Sequence, residues 1–368
     1  MVKDPNQLGF SIPSSIYITE SGEIRVGHVA EDLRQLNPSF YRREFKRDLG
    51  TKTPYTLGNK QIYPEELAVQ IIRELKNEAN EMIQGMGLGV IDKAVITVPA
   101  TYQSYKKQLM EEAGKNAGFQ QVELLDEPIA AAIYYTKNYK KPTEINPEEI
   151  ILVYDLGGGT FDATLIQKQK DIYVTLSTPV GLAHCGGIDF DRKIFEDVYN
   201  QCNPQLQALL NRRNQTSDAE LSRLLISDFC RDFKHQLGDK LQHEKLVILP
   251  SVSPVKYSLD RDSFNRMIYP LIAETIEQCH RLVQNAGIKW EQVDQVLLVG
   301  GSCRIPYVKS VVETEFKRPV FRVDDPELAV CQGAAIYGAD LDEKPSSVEN
   351  TTPGFYEPGK DIWDWDNK

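Results

Sequence analysis

The sequence predicts an α/β protein built as two lobes, with helices laid over sheets. Three observations lead there. Short β-branched runs alternate with long amphipathic stretches, the strand candidates being Ile16 to Ile18, Ala94 to Val98, Ile150 to Tyr154, Ile172 to Leu176 and Val296 to Val299. That alternation implies layered helices and sheets. The length, 368 residues of which 41% are hydrophobic, is too great for one ordinary core and comfortable for two. Finally, NYKKPTEINPEE, from Asn138 to Glu149, is polar, proline-containing and aperiodic, as an exposed connection would be. It sets the expected lobes at 1–148 and 149–340.

Taken in order, the helices have their own start and stop signals. Pro64 to Gln84 opens with a proline and two glutamates suited to a first turn; Tyr102 to Asn116 is closed by Gly118; Asp262 to Asn285 stops at Gly287. The stretch from Asp191 to Asp262 is richer in helix and charge than its surroundings, which predicts a helical subdomain inserted into the second lobe at about 187–262. Residues 341–368 are acidic and rich in proline and polar residues, with no helical or strand period, so a tail without structure of its own is expected.

Composition narrows the partners. A net charge of −11 repels phosphate backbones and anionic membrane surfaces, so neither nucleic acid nor a membrane is an expected partner. The six cysteines contain no C-x-x-C pair and read as buried thiols of a reducing compartment. The amino terminus has no apolar core of signal-peptide length, and no run of about eighteen apolar residues occurs. A cytoplasmic location is the expectation.

Three segments carry chemistry. In Val153 to Asp162 (VYDLGGGTFD) a buried strand meets three glycines and a second strand. Without Cβ atoms, Gly157, Gly158 and Gly159 let backbone N–H groups approach anionic oxygens, and successive N–H groups form an anion nest. Asp155 can hold a magnesium ion through water, Thr160 adds a hydroxyl, and Asp162 can orient a water or ion. A plain glycine turn is the alternative. In Val299 to Pro306 (VGGSCRIP) a strand passes through Gly300 and Gly301 into a helix; such a turn lets a base or ribose lie on the backbone, with the Arg304 guanidinium able to stack on it. A tight strand-to-helix connection would look the same. The third, LLDEPIAAA, delivers Glu127 at the end of a strand, where α/β sheets place ligand-contacting side chains and where a carboxylate can position an attacking water. An ordinary first-turn Glu-Pro is the competing reading, and the alanine run reads as close helix packing.

Together, VYDLGGGTFDATLI, AVITVPATYQSYKKQLMEEAGKNAGF, LLDEPIAAAIYY, CGGIDFDRKIF, VLLVGGSCRIPYVKSVV and DDPELAVCQGAAIYGA resemble the nucleotide-binding domain of the 70-kDa heat-shock chaperones, from about Ile12 to Ala339 and in that family's order. The resemblance implies a two-lobed, actin-like ATPase fold of ribonuclease H-like type, binding ATP or ADP with magnesium. It implies that Gly157, Gly158, Gly159 and Thr160 hold the β- and γ-phosphates, that Asp155 holds hydrated magnesium, and that Asp162 and Glu127 flank the attacking water. Lys46, in EFKRDLG, matches the lysine near the γ-phosphate, with a solvated surface lysine as the alternative. Gly187 and the turn of Gly300, Gly301, Ser302 and Arg304 would line the γ-phosphate and adenosine sides. Co-chaperones and client proteins are the implied partners.

The sequence departs from the family at three places. Family members begin with a strand carrying an Asp-x-Gly-Thr turn, which this sequence does not contain, so the first lobe is expected to lack its amino-terminal phosphate-binding hairpin, to hydrolyse ATP poorly and to self-associate through an exposed sheet edge. On the helix Asp218 to Gly238, the adenosine-facing positions read Arg231, Lys234, His235 and Gly238, leaving Lys234 as the matching contact. The family's β-rich peptide-binding domain is not expected within these 368 residues. A non-catalytic actin-like scaffold is the second reading, and a metabolite kinase of the same superfamily the third.

Overall fold

The computed structural model describes residues 11–140, 148–169, 172–211, 213–250, 252–326 and 328–343. Most of the predicted connection (141–147) and of the predicted tail (344–368) lies outside the described residues.

The chain opens with β1 (Ser15–Ile18), β2 (Ile24–Val26), α1 (Gly27–Leu33) and β3 (Tyr41–Arg43); β1 sits between β2 and β3, antiparallel to both. A hairpin of β4 (Tyr55–Leu57) and β5 (Lys60–Ile62) leads into α2 (Pro64–Gln84). Its start follows the sequence: Pro64 occupies the first turn, and the Glu66 carboxylate accepts from the Tyr63 N–H at 2.8 Å, satisfying one of the helix's orphan donors. Next, β6 (Lys93–Val98) runs parallel to β7 (Gln121–Asp126), joined through α3 (Ser104–Asn116), and α4 (Glu127–Tyr139) follows without a loop. Gly118 ends the α3 region with φ of +105°, a conformation that favours glycine.

The larger sheet begins with β8 (Ile150–Leu156), β9 (Phe161–Gln169), β10 (Ile172–Thr175) and β11 (Val180–Leu182). There follow α5 (Gly187–Gln201), α6 (Pro204–Leu210), α7 (Ser217–Asp239), the hairpin β12 (Gln242–Val247) and β13 (Val255–Asp260), and α8 (Arg261–Asn285). The chain then returns as β14 (Gln295–Val299), α9 (Pro306–Phe316), β15 (Val320–Arg322) and α10 (Ala329–Glu343), so α10 runs past the predicted boundary at 340. The sheet order is β10-β9-β8-β14-β15, with β11 also on β9. β8 is antiparallel to β9 and parallel to β14.

Both faces of β8 are covered, which is why its sequence is a continuous apolar run. Leu152 and Tyr154 face the core shared with Phe190, Phe233, Tyr257 and Phe264. Ile151 and Val153 face Ala131, Ala132 and Tyr135 of α4. The alanines let α4 lie close, and Gly333 of α10 lets that helix approach closer still: a Cβ there would fall 1.8 Å from the Ala130 carbonyl oxygen.

β6 is different. Among the described residues it pairs only with β7, and Ala94 to Thr97 are partly exposed although α3 and α10 pack against the strand. Among the described residues the other edge of β6 has no strand partner for its N–H and C=O groups. Of the six cysteines, five are buried as expected and Cys331 is exposed. Among the described residues no helix is long and apolar enough to cross a membrane.

Candidate functional site

The β8–β9 turn, the start of α5, the β14–α9 turn and the first residues after β3 converge on one cleft of 2490 Å³. Lys46, Glu127, Asp155, Gly157, Gly158, Gly159, Thr160, Asp162, Gly187, Lys234, Gly300, Gly301, Ser302 and Arg304 all line it. Residues read from separate stretches of sequence thus meet around one space.

The glycine turn is held from behind. The Gly157 carbonyl accepts from the Gly187 N–H at 3.1 Å and from the Ser302 hydroxyl at 2.8 Å, and the Gly158 carbonyl accepts from the Ile188 N–H at 2.8 Å. The carbonyls therefore point toward the α5 amino terminus. Among the described residues the N–H groups of Gly158 and Gly159 donate to no backbone carbonyl. A Cβ on Gly158 would meet nothing within 4 Å, so this residue faces open space. An anion in the cleft would meet unspent donors there. Two other glycines serve close approach: a Cβ on Gly186 would fall 2.8 Å from the Gly159 backbone, and one on Gly300, at φ +85°, would fall 2.5 Å from the Leu156 carbonyl oxygen.

Antiparallel register sets Asp155 directly opposite Asp162, and parallel register sets Val299 beside Asp155. Burial, helped by the charges of Glu127 and Asp162 and opposed by Lys46, pushes the Asp155 carboxyl up to about 8. Burial also raises Asp162, although the Thr101 hydroxyl donates to its Oδ1 at 2.7 Å. Carboxyls crowded in this way fit a cation, which would favour their charged forms. Among the described residues no three His, Cys, Asp or Glu side chains come together as a direct metal-ligand set. Opposite, Lys46 leaves the short turn Phe45–Asp48 and donates to Glu127 Oε1 at 2.7 Å; its side chain is 60% exposed in the cleft, while Glu127 is 15% exposed.

Several predicted contacts are already engaged. The Lys234 ammonium donates to the Gly187 carbonyl at 2.8 Å and lies 2.9 Å from Asp191 Oδ1; burial drives both groups toward their neutral forms. Ser302 braces the glycine turn, and Arg304 reaches Asp325 at 3.2 Å. His235 is exposed at the cleft's edge. Residue-by-residue reading missed Thr101, Asp189, Asp191 and the role of Arg47, which crosses the cleft to the Gly159 carbonyl and to Asp189. The CGGIDFD and EFKRDLG motifs contained three of them, but pairings between distant segments leave no local signal.

A sequence model described as "Hsp70 protein" matches residues 25–351. The chain belongs to the Hsp70 family. Proteins described as "Chaperone protein DnaK" from Thermosipho melanesiensis and Thermotoga maritima are 32% and 31% identical to it over 346 and 344 residues, in each case 92% of this chain and 55% of the relative. The DnaK of Cyanidium caldarium is 31% identical over 367 residues, 92% of this chain and 57% of that protein. The chain thus spans a little over half the length of the curated relatives it matches. Its fold is the two-lobed, actin-like fold of the Hsp70 ATPase domain, and the cleft lies in the nucleotide-binding domain of that family.

Proposed function

We propose that the cleft binds ATP or ADP with magnesium, and that the chain acts as the nucleotide-dependent part of a chaperone. The observation that carries this reading is the Gly157–Thr160 turn: the Gly157 and Gly158 carbonyls are taken from behind, the N–H groups of Gly158 and Gly159 donate to no backbone carbonyl among the described residues, and Gly158 faces open space. On this reading Gly157, Gly158, Gly159 and Thr160 cradle the β- and γ-phosphates. Asp155 orients water on the magnesium ion, which neutralises phosphate charge when bound. Lys46 stands by the γ-phosphate, Glu127 and Asp162 orient the attacking water, and Gly187, Lys234, Gly300, Gly301, Ser302 and Arg304 shape the γ-phosphate and adenosine sides.

Catalysis would come from positioning and charge rather than covalent chemistry. The lobes at 1–148 and 149–340, the insertion at 187–262, the segment 341–368, a cytoplasmic location, and co-chaperones or client proteins as partners belong to the same proposal. Titration calorimetry of the 368-residue chain with ADP and magnesium tests it; no heat of binding at millimolar nucleotide would end it.

A second reading, a binding or regulatory scaffold that hydrolyses little, is favoured by one observation. The cleft wall facing the glycine turn presents side chains such as Lys46, Thr101 and Glu127, and among the described residues β6 pairs only with β7, so backbone donors for phosphate come from the glycine turn while the opposite wall offers side chains. Self-association through that first-lobe edge is part of this reading. Single-turnover phosphate release separates the two, since a scaffold binds nucleotide without releasing phosphate.

A further inference from the structure

The short turn Phe45–Asp48 sends two consecutive cations into the cleft, and they go to different places. Lys46 ends on Glu127. Arg47 crosses to the other wall, where one terminal nitrogen, Nη2, serves both the Gly159 carbonyl oxygen and the Asp189 carboxylate, the latter at 3.0 Å. Asp189 lies in the first turn of α5, is only 5% exposed, and is approached on its other oxygen by Arg192 at 3.5 Å. The guanidinium is therefore fixed at one corner by a buried carboxylate.

One of its donors has no partner among the described residues. The Arg47 side chain is 16% exposed, and its Nε is buried with no acceptor among the described residues. That Nε lies 2.8 Å from the place a Cβ on Gly159 would occupy, directly beside the turn whose N–H groups at 158 and 159 are also unspent on backbone. Donors without acceptors inside a protein call for a ligand or water to complete them. With Nη2 spent on Gly159 and Asp189, the Nε–H is the buried donor left without a partner, and a guanidinium N–H of this kind suits a phosphate oxygen.

We propose that Arg47 is a phosphate-contacting residue, anchored on Asp189 so that its Nε–H turns to the outermost phosphate of a nucleotide seated on Gly157–Thr160. This rests on the nucleotide reading of the cleft and adds to it a residue from the opposite wall that counts phosphates. Arg47 then distinguishes polyphosphorylated ligands from monophosphates, because only a long enough phosphate chain reaches it. Asp189 is a positioning residue that acts through Arg47.

The test compares the 368-residue chain with Arg47→Gln, Arg47→Lys and Asp189→Asn by titration calorimetry against a non-hydrolysable ATP analogue and ADP, each with magnesium, and against AMP. Arg47→Gln is expected to weaken the triphosphate at least tenfold while changing AMP less than twofold, with Asp189→Asn showing a smaller loss of the same selectivity. Arg47→Lys keeps the charge but not the Nε donor, and is expected to lose most of the selectivity as well; it carries the comparison if Arg47→Gln does not fold. Equal weakening of all three ligands would overturn the proposal, because a strut that merely holds the walls together affects every ligand alike. Unchanged triphosphate affinity would overturn it too, and would leave the nucleotide reading intact. Absence of binding of any of them to the parent chain would remove both.

Discussion

Gly158 offers a perturbation that separates binding from folding. Its φ lies outside the left-handed region, and a Cβ built on it meets no atom within 4 Å, so Gly158→Val adds bulk from a position that opens on the cleft. The added side chain stands where an anion would approach the N–H groups of residues 158 and 159. Charge-assisted hydrogen bonds of this kind contribute roughly 1.5–3 kcal/mol each, so blocking both corresponds to a loss of roughly 10²–10⁴-fold in affinity. Calorimetry with magnesium ADP measures that loss, and thermal unfolding of the same sample checks that the fold has survived. The contrast is Gly300→Ala. There φ is +85° and the new Cβ would lie 2.5 Å from the Leu156 carbonyl oxygen and 2.6 Å from Asp155 Oδ1, so the strain alone costs roughly 1–3 kcal/mol and the melting temperature falls. A Gly158→Val protein that melts like its parent and binds ADP as tightly would refute the assignment of the turn as the phosphate cradle.

The Asp155 carboxyl, raised from 3.8 to about 8, makes stability depend on pH. The folded state holds this proton more tightly than the unfolded chain, so its contribution is complete below pH 4 and is lost as pH rises through 8. Asp155→Asn is therefore expected to match its parent near pH 4 and to exceed it at pH 9 by up to roughly 5 kcal/mol, while losing magnesium-dependent nucleotide binding; denaturant midpoints at the two pH values that shift together would contradict it. On the scaffold reading, single-turnover phosphate release by the 368-residue chain is expected near background, since backbone donors for phosphate come from the glycine turn alone, and a rate matched by a full-length DnaK under the same conditions would show that one such turn suffices. Hydrogen exchange is expected to be slow at 150–165 and 296–299 and faster at 94–98, with light scattering reporting a dimer or larger species at micromolar concentration. A strict monomer with uniform protection would mean that the β6 edge is closed within one chain.

How much of this was legible in the sequence depended on how local its cause was. The bounds of α2 and α8 were readable to within a residue, because Pro64, Glu66 and Gly287 act on their own turns. The Gly157–Thr160 turn was readable because three adjacent glycines between apolar strands have few uses. By contrast β12 and β13 went unread within a region that reads as helical and charged: β13 alternates apolar and polar from Val255 to Asp260, but β12 is mostly polar, and the ribbon is held by Phe229 and Phe233 packing on Tyr257, a contact that leaves no local signal. In the site the same division holds. Carboxylates at strand ends were found by position, but register decides that Asp155 faces Asp162, and tertiary approach decides that Lys234 is engaged by Gly187 and Asp191 rather than left free for a ligand. Arg47 is the sharpest instance: next to Lys46 it reads as one more surface cation among Arg42 and Arg43, and only the meeting of the two walls turns it toward Gly159 and Asp189. Sequence motifs therefore mark which backbone can cradle a phosphate, whereas the opposite wall decides which side chains reach across to it.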